Sequence, residues 1–311
     1  PEMRRAGAGG IAALVLLAAG AMAQTTGEGE PPASDAGAQL LSIVGLAIAP
    51  DITASRLEID DDSRLRGQRI DTLRLANDVS LATRDGPLYL EGNLGFARAK
   101  LDLRLGDAVA EADRFDAVGA FGAIGPDLAI ARFTRIRPLL ILGMGYVDDD
   151  FGLPEPVAED DGAASDALDL RQWSAAAGFG LSLDYERPLG PDTIDLRLKL
   201  SQLFFETIWA GDDRLSGSTV NQTLNGSAVY KFDTGLRLAR HPLLLTGLVG
   251  ANAFLGDQRD ALGFSWFAEY GGGLELDLSA GEAAVQRARI RVTGIAGDGV
   301  TGISVGAGIG F

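Results

Sequence analysis

The stretch FSWFAEYGGGLELDL, residues 264–278, carries the alternating pattern that decides the fold. Its even positions hold Phe264, Trp266 and Tyr270, followed by leucines, whereas its odd positions are mostly polar, as at Glu269. Successive side chains of a β-strand point to opposite faces, so a period of two predicts a strand with one apolar and one polar face. A helix would scatter both sets around its circumference.

The same alternation recurs along most of the chain and is interrupted by turns and polar loops. The candidate strands span roughly residues 39–48, 68–83, 87–105, 113–125, 136–148, 170–186, 192–208, 219–232, 242–256, 262–279, 286–297 and 300–311. Two of them change phase, near Phe96–Ala97 and near Ser201–Leu203, and each change predicts a β-bulge.

The length of these strands separates a membrane barrel from a soluble sandwich. Strands of globular proteins usually have about 5–6 residues, whereas a strand that crosses a bilayer at a tilt needs about 9–11. Short links alternate with longer or acidic ones, as is typical of outer-membrane barrels. The short links include 83–86 and 187–191, and the longer ones are 49–67, 148–169, 209–218 and 257–261. The sequence therefore predicts an all-β fold, a transmembrane antiparallel up-and-down β-barrel of about 12 strands, over residues 39–311.

The N-terminal residues have the order of a secretory signal peptide. Arg4 and Arg5 precede an apolar run at 11–19, and Ala21-Met22-Ala23 follows it. The run is shorter than the roughly 20 residues of a membrane-spanning helix, so we expect residues 1–23 to be a Sec signal cleaved after Ala23. Residues 24–38 are then a flexible periplasmic leader, and one hypothesis is that this leader enters the lumen as a plug.

Composition excludes several classes of function. The chain has no cysteine, which rules out disulfides, thiolate metal sites and cysteine nucleophiles. Its formal net charge of −16 argues against nucleic acid, because binding to nucleic acid depends on Lys and Arg at phosphates.

The C-terminal stretch ISVGAGIGF, residues 303–311, alternates apolar residues with Ser and Gly. Ser304, Gly306, Ile309 and Phe311 resemble the terminal-strand signal that the barrel assembly machinery reads in Gram-negative bacteria. The resemblance implies that this machinery is a partner during biogenesis and that the protein resides in the bacterial outer membrane.

Twelve predicted strands, a terminal Phe311 and a glycine-rich last hairpin resemble the translocator domain of autotransporters, over about residues 39–311. Autotransporters carry a large passenger and a linker helix before the barrel. Only residues 24–38 lie between the predicted signal and the first predicted strand, so the chain resembles a solitary autotransporter-type barrel. Passenger secretion is not carried over from the resemblance.

Hydrolase chemistry is not supported by the sequence. Outer-membrane phospholipases need a Ser–His pair, and omptin-type proteases need a His beside acidic residues at the extracellular rim. The only histidine, His241, lies in the link 233–242, which is expected to face the periplasm. The sequence predicts a turn histidine, no enzyme and no cofactor.

Charged residues on the polar faces are expected to line the lumen. They are Arg74, Arg98, Lys100, Arg104, Arg197, Lys199, Lys231, Arg287, Arg289 and Arg291, with Asp78, Asp102, Asp184, Asp195, Glu269, Glu275 and Asp277. Opposite charges can pair across strands and fill the interior, or they can line a narrow ion-selective pore. A barrel of this size lies between filled and open types, so both alternatives stay open.

Two surface features complete the prediction. The link 148–169 is densely acidic, and Asp148, Asp149, Asp150, Asp160 and Asp161 are weak candidates for a divalent-cation site that bridges to lipopolysaccharide phosphates. No calcium-loop spacing is present, and a solvated run of charge is the simpler interpretation. Aromatic residues near strand ends predict interfacial girdles; they are Tyr146, Trp173, Trp209, Tyr230 and Trp266.

The sequence favours a non-enzymatic outer-membrane barrel with a structural or surface role and limited permeability. The alternatives are a porin-like diffusion channel for small solutes or ions, and an adhesion or receptor surface formed by the loops. Outer-membrane lipid and lipopolysaccharide are the expected partners, and the oligomeric state is left open.

Overall fold

The alternating stretches form long antiparallel strands. In a computed structural model, the described residues are 35–47, 54–59, 69–83, 86–105, 108–148, 170–278 and 287–310. The strands are β1 (Ala54–Ile59), β2 (Arg69–Thr83), β3 (Gly86–Leu105), β4 (Ala108–Pro126), β5 (Leu128–Ala131), β6 (Thr134–Asp148), β7 (Gln172–Leu189), β8 (Asp192–Ala210), β9 (Ser218–Leu238), β10 (His241–Leu255), β11 (Trp266–Asp277), β12 (Arg287–Gly297) and β13 (Val300–Gly310). The predicted signal peptide and the leader up to residue 34 lie outside the described residues.

The strands close into a barrel. Each strand pairs with the next along the chain, except that β4 pairs with β6 instead of β5, and β1 pairs with β13 to close the sheet. Strand β5 continues β4 beyond Asp127, and both pair with β6, so together they occupy one position in the wall. The wall is therefore a closed, all-antiparallel barrel of 12 strands, as the sequence predicts.

The register of the pairs fixes the tilt of the strands. From Ile303 of β13, successive partners through β1 to β6 are Arg56, Asp71, Arg98, Asp116 and Asp148. In the other direction, through β12 to β7, the partners end at Thr134 of the same strand β6. The two end points are about 14 residues apart along β6, and this stagger around about 12 strands corresponds to a tilt of about 40°.

The predicted first strand, 39–48, is wrong. Residues 39–47 belong to helix α1 (Asp35–Ala47), and the first strand is β1, inside the predicted link 49–67. A short apolar run cannot be assigned to a strand or to a helix from periodicity alone. Here the run is buried on every side, because Leu40, Leu41 and Val44 all have no exposed surface.

Two further helical segments lie in the links at one end of the barrel. They are a 3₁₀ helix (Asp213–Leu215) and α2 (Asp257–Leu262). This end, which also carries the 148–172 link, is called the long-loop end, and the opposite end is the short-turn end. Among the described residues, no helix is long and apolar enough to cross a membrane.

The two faces of the wall differ in chemistry. The outer face carries exposed large apolar side chains, including Leu73, Leu94, Leu142, Met144, Leu198, Phe232, Val249, Tyr270, Ile290 and Val305. The inner face carries buried polar residues, including Thr72, Asn93, Ser182, Lys199, Asn225, Thr246, Glu275 and Ser304. This arrangement is the reverse of a soluble protein and is typical of a barrel surrounded by lipid.

The two predicted phase changes are wrong for a common reason. In β3 the odd residues continue to face inward through Ala97 and Ala99, the register with β4 is unbroken from Leu88 to Ala99, and the irregularity lies further on, between Ala99 and Leu101. In β8 the inward set continues to Phe205, and the irregularity lies further on, opposite Trp173–Ser174. The inner face turns apolar at these positions because it packs against α1, and this change of chemistry resembles a change of phase.

Candidate functional site: the lumen of the barrel

Helix α1 lies inside the barrel, in the half next to the long-loop end. It contacts β2, β3, β4, β6, β8, β9 and α2. Val44 is so close to the inner side of β6 that a side chain on Gly145 would collide with it. In the same way, a side chain on Gly45 would collide with the Nδ2 of Asn221 on β9. The close approach of α1 to the wall on two sides therefore depends on a glycine in each contact.

An apolar cluster fills this half of the lumen around α1. Its members on the helix are Leu40, Leu41, Ile43, Val44 and Leu46, and those on the wall and links include Ile59, Ile70, Ala97, Phe115, Val147, Leu170, Phe205, Leu215, Phe254, Leu262, Phe264, Phe267, Ile295 and Val300. Phe264 precedes β11 and packs at right angles to Phe254, so it does not share the outer face of Trp266 as its even position predicts. Burial of this many apolar side chains stabilises α1 in its place.

A small cavity separates the last turn of α1 from the polar part of the lumen. Its volume is about 40 Å³, and its lining includes Gly45, Glu91, Asn93, Lys199 and Asn221. Both side-chain polar atoms of Asn221 and the Oδ1 of Asn93 are buried there without a partner among the described residues. A cavity of this size has room for about three water molecules, which would satisfy these atoms.

A buried ion pair crosses the lumen below this cavity. The Lys199 Nζ lies 2.7 Å and 2.9 Å from the two carboxylate oxygens of Glu91. Lys199 is on β8 and Glu91 on β3, which are not neighbours in the wall, so the pair spans the interior. The hydroxyl of Tyr89 donates to the same carboxylate at 3.3 Å.

A connected network of ion pairs continues toward the short-turn end. The carboxylate of Asp127 accepts from Arg135 Nη1 at 2.6 Å and from Arg137 Nε at 3.0 Å. Arg137 also donates to Asp184 Oδ2 at 3.1 Å, and Arg197 Nε donates to Asp184 Oδ1 at 2.7 Å. The network ties together β6, β7, β8 and the β4–β5 junction.

A second group of charges lies on the inner face of β8 to β11. Lys231 Nζ lies 2.9 Å from Asp195 Oδ2 and 3.2 Å from Glu275 Oε1. Glu269 accepts a hydrogen bond of 3.1 Å from Asn252 Nδ2. These contacts give Lys231, Asp195, Glu275 and Glu269 each a charged or hydrogen-bonding partner.

Three arginines form a ladder on β12. Arg287, Arg289 and Arg291 pair in register with Asp277, Glu275 and Gly273 of β11 and with Gly310, Gly308 and Gly306 of β13. The exposed Ile290 and Val292 alternate with them on the outer face, so the arginines face inward. Arg287 lies 3.6 Å from Glu186 across the short-turn end.

Other predicted lumen residues fall elsewhere. Arg98 faces outward, contrary to the prediction, because Ala97 and Ala99 occupy the inner face against α1. It forms a two-pronged ion pair with Asp116, at 2.7 Å and 2.8 Å. The side chains of Arg74, Lys100, Asp102 and Arg104 lie outside the described part of the structure.

The weak metal candidates are largely outside the described residues, since Asp149, Asp150, Asp160 and Asp161 fall there. Asp148 is described and accepts from the Tyr146 hydroxyl at 2.7 Å. In the described ranges, no group of three or more His, Asp or Glu residues is placed to hold a metal ion. His241 begins β10 in the tight β9–β10 turn.

The proposed assembly signal lies partly within the described chain. Ser304 faces inward and is buried, and Gly306 pairs with Arg291. Ile303 and Val305 are exposed on the outer face, as the alternation predicts. The side chain of Ile309, and Phe311 as a whole, lie outside the described part.

Sequence reasoning missed the residues that close the lumen. Helix α1 was read as a strand, and neither Glu91 nor Asp127 was assigned to the interior. The available signal was the apolar inner face of β3 and β8 at Ala97 and Phe205, which requires an apolar object inside the barrel.

The fold and lumen define a 12-stranded antiparallel barrel with a helix in its interior. No protein-family model matches the sequence, and no curated protein matches it. Among solved structures, the chain is similar to the β-domain of the Bordetella autotransporter BrkA, with 15% identity over 83% of this chain and 96% of that chain and a TM-score of 0.48.

Two further solved structures are of the same kind. The translocator domain of the autotransporter NalP from Neisseria meningitidis has 12% identity, covers 97% of this chain and 99% of its own, and gives a TM-score of 0.44. The transport unit of the autotransporter AIDA-I from Escherichia coli has 13% identity, with 89% and 98% coverage and a TM-score of 0.44. All three are autotransporter barrels, the class that the sequence resembles.

Proposed function

We propose that this chain is an integral outer-membrane protein with a structural or surface role, and that its lumen is closed in the resting state. The observation that carries the proposal is α1, which fills the half of the barrel next to the long-loop end. The ion pairs Glu91–Lys199 and Asp127–Arg137 lie in the remaining part of the interior.

The outer face supports a membrane location. Large apolar side chains are exposed on all sides of the wall, from Leu73 on β2 to Ile303 on β13. Soluble monomers rarely expose apolar patches larger than a few hundred Å², so a continuous apolar belt indicates lipid as the surroundings. A closed barrel also leaves no unpaired strand edge in the hydrocarbon, and such barrels are characteristic of outer membranes.

Single-channel conductance of the refolded protein in a planar bilayer tests the closed state. We expect no stable conductance steps from the wild-type chain, with heat-modifiable migration on a gel showing that the barrel is folded. Stable, ion-selective steps would support the channel alternative instead and would make Arg289 and Arg291 the first residues to replace.

A variant of α1 tests whether the helix is the seal. Leu41→Asp combined with Val44→Asp places two charges in the apolar cluster, where an unpaired charge costs several kcal/mol, so α1 should leave its seat. We expect conductance from this variant and none from the matched control, Leu41→Met with Val44→Ala, which keeps the apolar character and adds no bulk at the close contact with Gly145. A folded but silent Asp variant would show that α1 is not the seal.

A further inference from the structure

An aromatic row crosses the outer face of the barrel near the long-loop end. Tyr146 of β6 pairs in register with Trp173 of β7, which pairs with Trp209 of β8. The rings of Tyr146 and Trp173 lie 4.7 Å apart, centre to centre. Trp173 and Trp209 remain 43% and 48% exposed, so about half of each indole is available to a partner.

Charged groups border this aromatic row. The guanidinium of Arg171 lies over the ring of Trp209, 5.9 Å from its centre. Arg214 is exposed in the link that follows Trp209. On the other side, Arg98, Asp116 and Asp148 form a second row of directly paired residues across β3, β4 and β6. We call the aromatic row together with Arg171 the rim patch.

The rim patch lies above the apolar belt rather than within it. On β7, Trp173 and Tyr185 are both on the outer face, 12 residues apart. At about 3.4 Å per residue and a tilt of about 40°, they differ in height by about 31 Å. The apolar band of an outer-membrane barrel is about 25 Å tall. With Tyr185 at the lower boundary, Trp173 stands at the level of the outer-leaflet headgroups.

The third tryptophan of the chain provides a contrast. On β11, Trp266 is 48% exposed on the outer face, and its distance to Leu276 along the strand is 10 residues. The same tilt gives a difference in height of about 26 Å, which matches the apolar band. Trp266 is therefore an ordinary boundary residue, whereas the rim patch extends beyond the boundary.

We propose that the rim patch binds the phosphorylated sugar headgroup of an outer-leaflet lipid, which is the chemistry of lipopolysaccharide. Flat indole and phenol faces stack on the apolar faces of sugar rings, and a guanidinium matches the geometry of a phosphate. Sugar and phosphate occur together at this height in the outer leaflet. The inference rests on the proposed outer-membrane location and names the partner of that surface.

The mixed chemistry of the rim patch distinguishes this occupant from a second copy of the chain. The cores of interfaces between proteins are depleted of charge, whereas the rim patch holds the guanidinium of Arg171 directly over the ring of Trp209. A phospholipid headgroup would supply phosphate for Arg171 but no sugar ring for Trp173 and Trp209.

Thermal unfolding of the full chain, folded in a neutral detergent, tests the proposal. A ligand that binds only the folded state stabilises it by RT ln(1 + [L]/Kd), so the unfolding midpoint rises with the logarithm of the ligand concentration above Kd. We expect lipopolysaccharide to raise the midpoint of the wild-type protein. For Arg171→Gln combined with Trp173→Leu, the concentration needed to reach the same rise in midpoint should increase by at least about fivefold, a loss of about 1 kcal/mol of binding.

The control variant is Trp266→Leu, which removes an equally exposed tryptophan outside the rim patch and should respond as the wild type does. Dephosphorylated lipopolysaccharide and phosphatidylglycerol should each shift the wild-type midpoint less than intact lipopolysaccharide. An unchanged response of the rim-patch variant, or an equal shift with phosphatidylglycerol, would overturn the proposal. Heat-modifiable migration without lipid reports the folded barrel separately, so failure of this proposal is distinguishable from failure of the proposed function.

Discussion

At the scale of single residues, Asp127 is a buried carboxylate with several partners at the junction of two strand segments. It interrupts β4 and β5, its side chain is completely buried, and its backbone N–H donates to the carbonyl of Pro87 at 2.9 Å. Its carboxylate also accepts from Ser80 Oγ at 2.8 Å, in addition to the two arginines. One side chain therefore organises the junction at which two strand segments share a place in the barrel.

Replacing Asp127 by Ala should destabilise the barrel. Removal of one partner from a buried ion pair leaves the other charge uncompensated and typically costs about 3–5 kcal/mol. Because Arg137 keeps Asp184 as a partner, we expect the lower end, about 3 kcal/mol, measured by urea unfolding in detergent micelles. The control is Asp212→Asn, which breaks an exposed pair with Arg214 and should cost less than about 1 kcal/mol. Equal effects of both substitutions would contradict the assigned role.

At the scale of elements, the polarity of the inner face of each strand depends on what lies inside the barrel at that height. Near the short-turn end, the inner faces are polar and charged, as at Lys199 and Asp184. Next to α1, the inner faces become apolar, as at Ala97 and Phe205, while polar Arg98 moves to the outer face. The side chains still alternate between the two faces, but next to the helix the inward-facing residues are apolar instead of polar.

Cysteine labelling can read the phase of β3 directly, because the natural chain contains no cysteine. Arg98→Cys should react quickly with a membrane-impermeant maleimide, since this side chain is on the outer face above the apolar belt. Ala97→Cys is buried against α1 and should react at least about 10-fold more slowly, because reaction requires local opening. If Ala97→Cys reacted faster than Arg98→Cys, position 97 would face outward, as the β-bulge predicted from the sequence requires.

The strands and their closure could be predicted from the sequence because period-two alternation is a local property of each segment. Helix α1 was missed although Asp35, Gln39 and Ser42 recur at helical spacing, because periodicity alone does not separate a short, mostly apolar helix that is buried on every side from a strand. The ion pair of Lys199 with Glu91 joins residues 108 positions apart, and its existence depends on the register of the whole wall. Asp127 was missed because a buried charge at a strand interruption looks like a turn residue in the sequence.

At the scale of the whole molecule, the apolar belt sets the bilayer that suits the barrel. On β11, Trp266 and Leu276 bound an outer face about 26 Å tall. Tyr230 and Phe232 on β9 are exposed near the short-turn end, where an aromatic girdle is expected.

Folding into vesicles should therefore depend on lipid chain length. A mismatch between the belt and the hydrocarbon costs a fraction of a kcal/mol per Å, so bilayers whose hydrocarbon is about 26 Å thick should give a higher folded yield than longer-chain bilayers about 8 Å thicker. The folded fraction is measured by heat-modifiable migration at equal protein-to-lipid ratio. A yield that rises with chain length would contradict the assigned height of the belt.

The seam between β1 and β13 imposes an order on assembly. Its pairs, such as Ser55 with Ser304, join residues about 250 positions apart and have the longest loop to close of any ladder in the wall. Contacts between such distant parts of a chain form slowly, whereas hairpins such as β7–β8 form from local contacts. Since α1 precedes β1 in the chain and lies within the finished wall, we expect the helix to occupy its place before the last ladder forms. Assembly of this barrel then amounts to the closing of a sheet around α1, and a chain that closes too early leaves the helix outside.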